Sequence, residues 1–167
     1  MEDWRIREGS KSMLERTTRQ YIIPVYFHVL QTSSTTGMIS DTRIRSLINY
    51  LNDSFSNSNV PFYFEYFGVT RTVRAFWDNC YNTDIQGEFK RALKIGGGDM
   101  LNIYICNKMY NAKGASVTGY SSGPTSANSI YDGVVINNDG GEARLNTLVH
   151  ETVRVDNWFQ TNFVILI

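Results

Sequence analysis

Apolar positions recur along this chain with two periods, and the switches between them mark out its elements. Ile22 to Leu30 (IIPVYFHVL) is almost continuously apolar and rich in β-branched and aromatic residues. That is the pattern of a strand covered on both faces, with Pro24 tolerated near its start. A polar Ser/Thr loop follows from Gln31 to Gly37. The period then changes: Ile44, Leu47, Ile48, Leu51 and Phe55 fall on one stripe of a helix spanning 41–58. Ser40 or Asp41 can cap its start, and the Ser/Asn stretch 56–59 with Pro61 ends it. Phe62 to Val73 alternates and is aromatic-rich, a strand with a break expected at Gly68.

Residues 84–95 predict a short helix carrying Ile85, Phe89, Ala92 and Leu93, stopped by Gly96-Gly97-Gly98. Leu101 to Cys106 and Tyr131 to Ile136 read as strands, and the Gly/Ser-rich stretch 114–123 as a place for a short edge strand. Leu145, Leu148, Val149 and Thr152 open a last helical stripe. The order predicts an α+β fold, a mixed sheet with helices packed on it. There is no internal repeat.

Composition narrows the classes open to such a fold. A chain of 167 residues, 42% hydrophobic and 13% aromatic, can build one packed domain. Its 16 basic and 16 acidic residues cancel, with no basic face, which excludes nucleic acid as a partner. No apolar run approaches the ~20 residues of a membrane span. Residues 1–20 are polar and charged, an N-terminal extension without the apolar core of a secretory signal. Cys80 and Cys106 can form one bridge or remain two buried thiols, and the sequence leaves both open.

The chemistry concentrates at the last helix. Thr147-Leu148-Val149-His150-Glu151 reads as the first half of His-Glu-x-x-His. That motif puts two imidazoles one helical turn apart, with a glutamate to act on a zinc-bound water. Position 154, where the second imidazole belongs, is Arg154, whose fixed positive charge repels a cation. The only other histidine, His28, interrupts an apolar strand and reads as a core residue. Two histidines exclude a three-histidine zinc site within the chain. The triple glycine lacks the Lys-Ser/Thr of a phosphate loop and reads as a turn. Glu65, Asp84, Glu88 and Asp132 are scattered acids with no visible pairing.

Several segments together resemble the pappalysin-type metzincins, mostly secreted zinc endopeptidases. They are Ile23 to Leu30, Gly37-Met38-Ile39-Ser40, Leu51-Asn52, Gly96-Gly97-Gly98 with Leu101 to Tyr104, Gly119-Tyr120, Asp132 to Ile136 and Thr147 to Glu151. The resemblance covers 22–152 in the family's order. It implies a metzincin N-terminal subdomain over 21–152: a twisted, mixed five-stranded sheet with a backing helix and the start of an active-site helix. It also implies zinc as cofactor, protein or peptide as substrate, and secretion. His150 matches the first metal ligand and Glu151 the general base. The antiparallel edge strand that borders the family's cleft falls near Ala115 to Ser121. Ala115, Ser116, Val117, Thr118, Gly119 and Tyr120 are therefore the expected substrate-binding residues, offering backbone groups to an extended peptide.

Against the family's His-Glu-x-x-His-x-x-Gly-x-x-His, this chain has Arg154, Asn157 and Gln160 at the second histidine, the glycine and the third histidine. The expectation is a chain inactive as written. The alternatives are a non-catalytic peptide-binding module or a non-functional fragment. Val153-Arg154-Val155 can be encoded by codons that spell a splice donor, so residues 153–167 read as an aberrant apolar tail translated across an exon boundary. Thr161 to Ile167 fits that view: it is apolar, β-prone and without helical period.

Overall fold

The structure, a computed structural model, describes residues 21–56, 62–122, 129–138 and 145–153. Five strands form one sheet: β1 (Tyr21–Gln31), β2 (Phe62–Val73), β3 (Leu101–Cys106), β4 (Gly119–Ser122) and β5 (Gly133–Asn137), in the order β2-β1-β3-β5-β4. All pairings are parallel except that of β4 with β5. The fold is α+β, as the residue pattern predicts. The chain steps outward from β1 to β2 through helix α1 (Asp41–Phe55), then back across β1 to β3 through α2 (Thr83–Leu93). Right-handed crossovers taken in opposite directions place those two helices on opposite faces of the sheet. A third helix, α3, covers residues 145–153.

The strand period sorts side chains between the two faces. On β1, Ile23, Val25, Phe27 and Val29 join Ile44, Leu47, Ile48, Leu51 and Phe55 of α1 in the larger core, where Leu148 of α3 also packs. Ser40 caps α1, its side chain accepting from Arg43 N–H at 3.1 Å. Asn52 fastens the helix to the sheet edge: its amide accepts from Phe64 N–H at 2.8 Å and donates to Phe64 C=O at 3.0 Å. On the other face, Leu30, Tyr104, Cys106 and Val135 meet Phe89 of α2 together with Trp77, Cys80 and Met109. Cys80 and Cys106 are joined by a disulfide there.

Two details sharpen the pattern-based reading. The irregularity in β2 is a register slip: Val25 pairs with Tyr66 but Tyr26 with Gly68, leaving Phe67 as the extra residue. A Cβ at Gly68 would lie 2.7 Å from the Tyr26 ring, which is why glycine stands there. Helix α2 ends at Leu93, ahead of the triple glycine, because Lys94 turns to extended backbone. That turn presents Ile95 N–H and C=O to the Asn102 side chain, at 3.0 and 2.9 Å. At the other end of the chain, Val153 is the last described residue of α3. The extension 1–20 and residues 154–167 lie outside the described residues.

Candidate functional site

Strand β4 is four residues long, and its alternation decides what the site can be. Gly119 and Ser121 face α3, whereas Tyr120 and Ser122 face α2. A Cβ at Gly119 would lie 2.5 Å from Thr147 Cγ2 and 2.9 Å from Val135 C=O. Real Cβ atoms do not come that close, so glycine is what allows α3 to lie against the strand. That approach brings the Glu151 carboxylate to the sheet edge, where Ser121 Oγ donates to Glu151 Oε2 at 2.7 Å. Glu151 is 6% exposed, while the adjacent His150, one residue further around the helix, is exposed. Neighbouring helical residues point about 100° apart, so a buried acid beside an open imidazole follows from the geometry of α3.

The two residues expected to carry the chemistry thus sit side by side at the rim of the sheet. They do not make a metal site by themselves. Among the described residues no group of three His, Cys, Asp or Glu side chains could hold a metal ion. His28 cannot help, because it lies on the α2 face, stacked on Tyr104 at 4.7 Å with Nε2 donating to Asn102 Oδ1 at 2.9 Å. Burial lowers its pKa to about 4, against the opposing pull of the Asn102 bond, so it is a neutral core histidine. The donor set present does not fit zinc. Catalytic zinc takes three protein ligands plus water; among the described residues nothing joins His150 in such a set, and the sequence carries Arg154 four residues on, at the motif's second ligand position.

The expected substrate-binding run divides in two. Gly119 and Tyr120 lie in β4, paired with Ile136 and Val135. Ala115 to Thr118 precede the strand. Asn111 Oδ1 accepts from the N–H groups of Lys113 and Ala115, and Gly114 takes φ 76°. This tight turn returns the chain so that Ser116 bridges to Tyr110 and Val117 N–H donates to Met109 C=O. The strand therefore runs from Gly119 to Ser122, inside the Gly/Ser-rich stretch 114–123 and later than the Ala115 start that the resemblance implies. Among the described residues no strand pairs with the outer edge of β4, the side on which an extended chain would add.

Sequence reasoning missed Ser121, although a Gly-x-Ser alternation before a buried acid on a helix is the signal that could have found it. It also missed a polar cluster on the α2 face. Lys90 is fully buried, and its Nζ donates to Tyr131 C=O at 2.6 Å and to Ser122 Oγ at 3.4 Å. The ammonium also lies over the rings of Tyr104 and Tyr120, at 5.6 and 5.5 Å. Burial lowers the Lys90 pKa to about 7, with Asp132 pulling it up and Lys94 pushing it down. Lys94 Nζ donates to Ser129 C=O at 2.8 Å and pairs with Asp132 at 3.8 Å. Burial raises the Asp132 pKa despite the two lysines. Nothing in the helical period of α2 distinguishes this lysine from a solvated one.

A mostly parallel sheet with one antiparallel edge is also found among solved structures. The solved structure of Tannerella forsythia mature mirolysin in complex with a cleaved peptide shares the fold. Its TM-score is 0.60 at 24% identity, and the match covers 81% of this chain and 62% of that one. By sequence the chain is similar to an extracellular metalloprotease of Podospora anserina, 29% identical over 92% of this chain and 53% of that protein. It is also similar to an extracellular metalloprotease of Arthroderma benhamiae, 32% identical over 72% of this chain and 43% of that protein. The chain spans about half the length of the curated relatives it matches. No family model matches it.

Proposed function

We propose that residues 21–152 are the N-terminal half of a zinc metalloendopeptidase catalytic domain of the pappalysin-type metzincins, from a secreted protein. In this reading His150 is the first metal ligand, Glu151 the general base, and β4 the rim along which a protein or peptide substrate lies extended. The observation that carries it is the Glu151 carboxylate held against the open sheet edge by Ser121. A general base has to stand within hydrogen-bond reach of a water that faces the scissile carbonyl, and an edge strand is where an extended peptide presents that carbonyl. The extracellular relatives support secretion, and so does the Cys80–Cys106 bridge, a feature of oxidising compartments.

The chain as written does not complete the zinc site, so the reading concerns the scaffold and two of its catalytic positions. The test compares it with the triple variant Arg154→His, Asn157→Gly, Gln160→His. After dialysis the chain as written retains no stoichiometric zinc and hydrolyses no peptide, whereas the triple variant retains zinc. A triple variant that stays free of zinc while folded overturns the proposal. Arg154 favours a second reading, a metal-independent peptide-binding module. Binding of extended peptides by the unaltered chain, measured by fluorescence polarisation without zinc, selects it. Absence of both zinc and peptide binding leaves a non-functional fragment.

A further inference from the structure

One polar stripe along α2 is turned toward the sheet, although Asp84, Glu88 and Arg91 are exposed. Gln86, Lys90 and Lys94 are spaced four residues apart, on one stripe of the helix. All three reach the two ends of the β4–β5 connection. Gln86 Nε2 and Lys90 Nζ each donate to Ser122 Oγ at 3.4 Å, at the end of β4. Lys90 Nζ donates to Tyr131 C=O at 2.6 Å and Lys94 Nζ to Ser129 C=O at 2.8 Å, just before β5. Tyr120 OH closes the same side by donating to Cys80 C=O at 2.9 Å. Nor is this stripe filler. A fully buried ammonium carries a desolvation penalty that a methionine of similar length would not, and Met109 already packs in this core.

We propose that Lys90 is a positioning residue for the candidate cleft edge: from the face of the sheet opposite His150 and Glu151, it clamps β4 through Ser122 and Tyr131. β4 is too short and too one-sided to fix itself. It has four ladder residues and one neighbouring strand. Ser121 ties it to Glu151 on one face, and the α2 stripe ties its next residue on the other. Whatever loosens the second tie moves the strand that the first tie uses to aim the carboxylate. This inference rests on β4 as the rim of the site, but the clamp itself is measurable with no metal and no peptide.

The experiment is amide hydrogen exchange on the full chain, comparing it with Lys90→Met and Ser122→Ala. Lys90→Met keeps the length of the side chain and removes its donors, leaving Tyr131 C=O without its ammonium. Exchange of the Gly119–Ser122 amides is expected to accelerate by about tenfold or more, the factor that losing one buried hydrogen bond to a charged donor gives. Protection in β1 and β3 stays at its original level. Ser122→Ala removes only the long bond and gives a smaller acceleration confined to the same amides. It also serves as the folded control should Lys90→Met fail to fold. Unchanged β4 exchange in the variants that fold overturns the clamp. So does a uniform rise across β1, β3 and β4, which marks Lys90 as ordinary core. Loss of peptide binding or zinc retention bears on the functional proposal alone.

Discussion

The two faces of the sheet are held by different physics. On the α1 face, side chains such as Val25, Phe27, Leu47, Leu51 and Phe64 exclude water, and Asn52 adds a pair of hydrogen bonds to Phe64. On the α2 face lie a disulfide, a neutral histidine, a buried and a half-buried tyrosine and a buried lysine. Non-directional packing tolerates exchange of similar volumes. Directional bonds to carbonyls fix the position of the backbone that carries them. Strand β4 is held from both faces at adjacent residues, by hydrogen bonds to Ser121 on one side and Ser122 on the other. The contrast teaches that the α1 face supplies most of the stability, and the α2 face sets where the rim of the site lies.

The sharpest way to break this comparison is a cavity in the apolar face. Phe27→Ala removes a fully buried ring from the inner strand β1 and is expected to cost about 3–5 kcal/mol. Urea denaturation followed by circular dichroism reads the loss; a value below ~1 kcal/mol would mean that the α1 face is not the main source of stability. The matching cut on the other face is Cys80→Ser with Cys106→Ser. The bridge closes a loop with a sequence separation of 26, for which chain-entropy estimates give about 3 kcal/mol. The midpoint should fall by less than for Phe27→Ala, and the same denaturation series ranks the two.

Gly119→Ala probes the seam between the faces. Its new Cβ meets Thr147 Cγ2 at 2.5 Å and Val135 C=O at 2.9 Å, overpacking expected to cost about 1–3 kcal/mol. Adding Thr147→Ala removes the side-chain clash but not the carbonyl one. The double variant should therefore recover part of the loss, a coupling read from a double-mutant cycle. Full recovery would mean that α3 alone, and not β5, sets how closely the strand can be approached.

The α1 face was the more legible of the two in the sequence. Its elements follow from the apolar pattern alone: five residues at helical intervals in α1, an almost continuous apolar run in β1. The His150-Glu151 pair could be read because its motif is local. The hydrogen bond from Ser121, 30 residues before Glu151, could not. Nor could the contacts by which Lys90 reaches Tyr131 and Ser122, 41 and 32 residues away. Such bonds depend on which strand lies next to which, and that is decided by sheet order rather than by any neighbour in the chain. The Asn111 turn that delays β4 was missed for a smaller reason: a composition rich in Gly and Ser marks a turn without saying on which residue the next strand starts.

The last prediction uses protons to tell the faces apart. Burial holds Lys90 near 7 in the folded chain, while an unfolded lysine keeps its proton to about 10.4. Between these values the unfolded chain binds the extra proton, so unfolding free energy rises with pH, by up to about 1.4 kcal/mol per unit. Lys90 therefore costs stability below about 7, and the cost fades as pH approaches 10. Asp132, raised by burial, acts with the opposite sign and only below its folded pKa. Tyr104 and Tyr120 are both pushed up by burial and keep their protons in the fold when unfolded tyrosines lose theirs, above about 10. On the acid side His28, lowered to about 4, makes stability fall as pH drops from about 6.5. Urea midpoints should thus climb from pH 7 to 9 and turn over above 10. Lys90→Met should flatten the climb and keep the turnover. Every group in this profile belongs to the α2 face. A variant such as Ile48→Val on the α1 face should shift the whole curve down by about 1 kcal/mol and leave its shape unchanged. A change of shape would mean that the two faces are electrostatically coupled through the sheet.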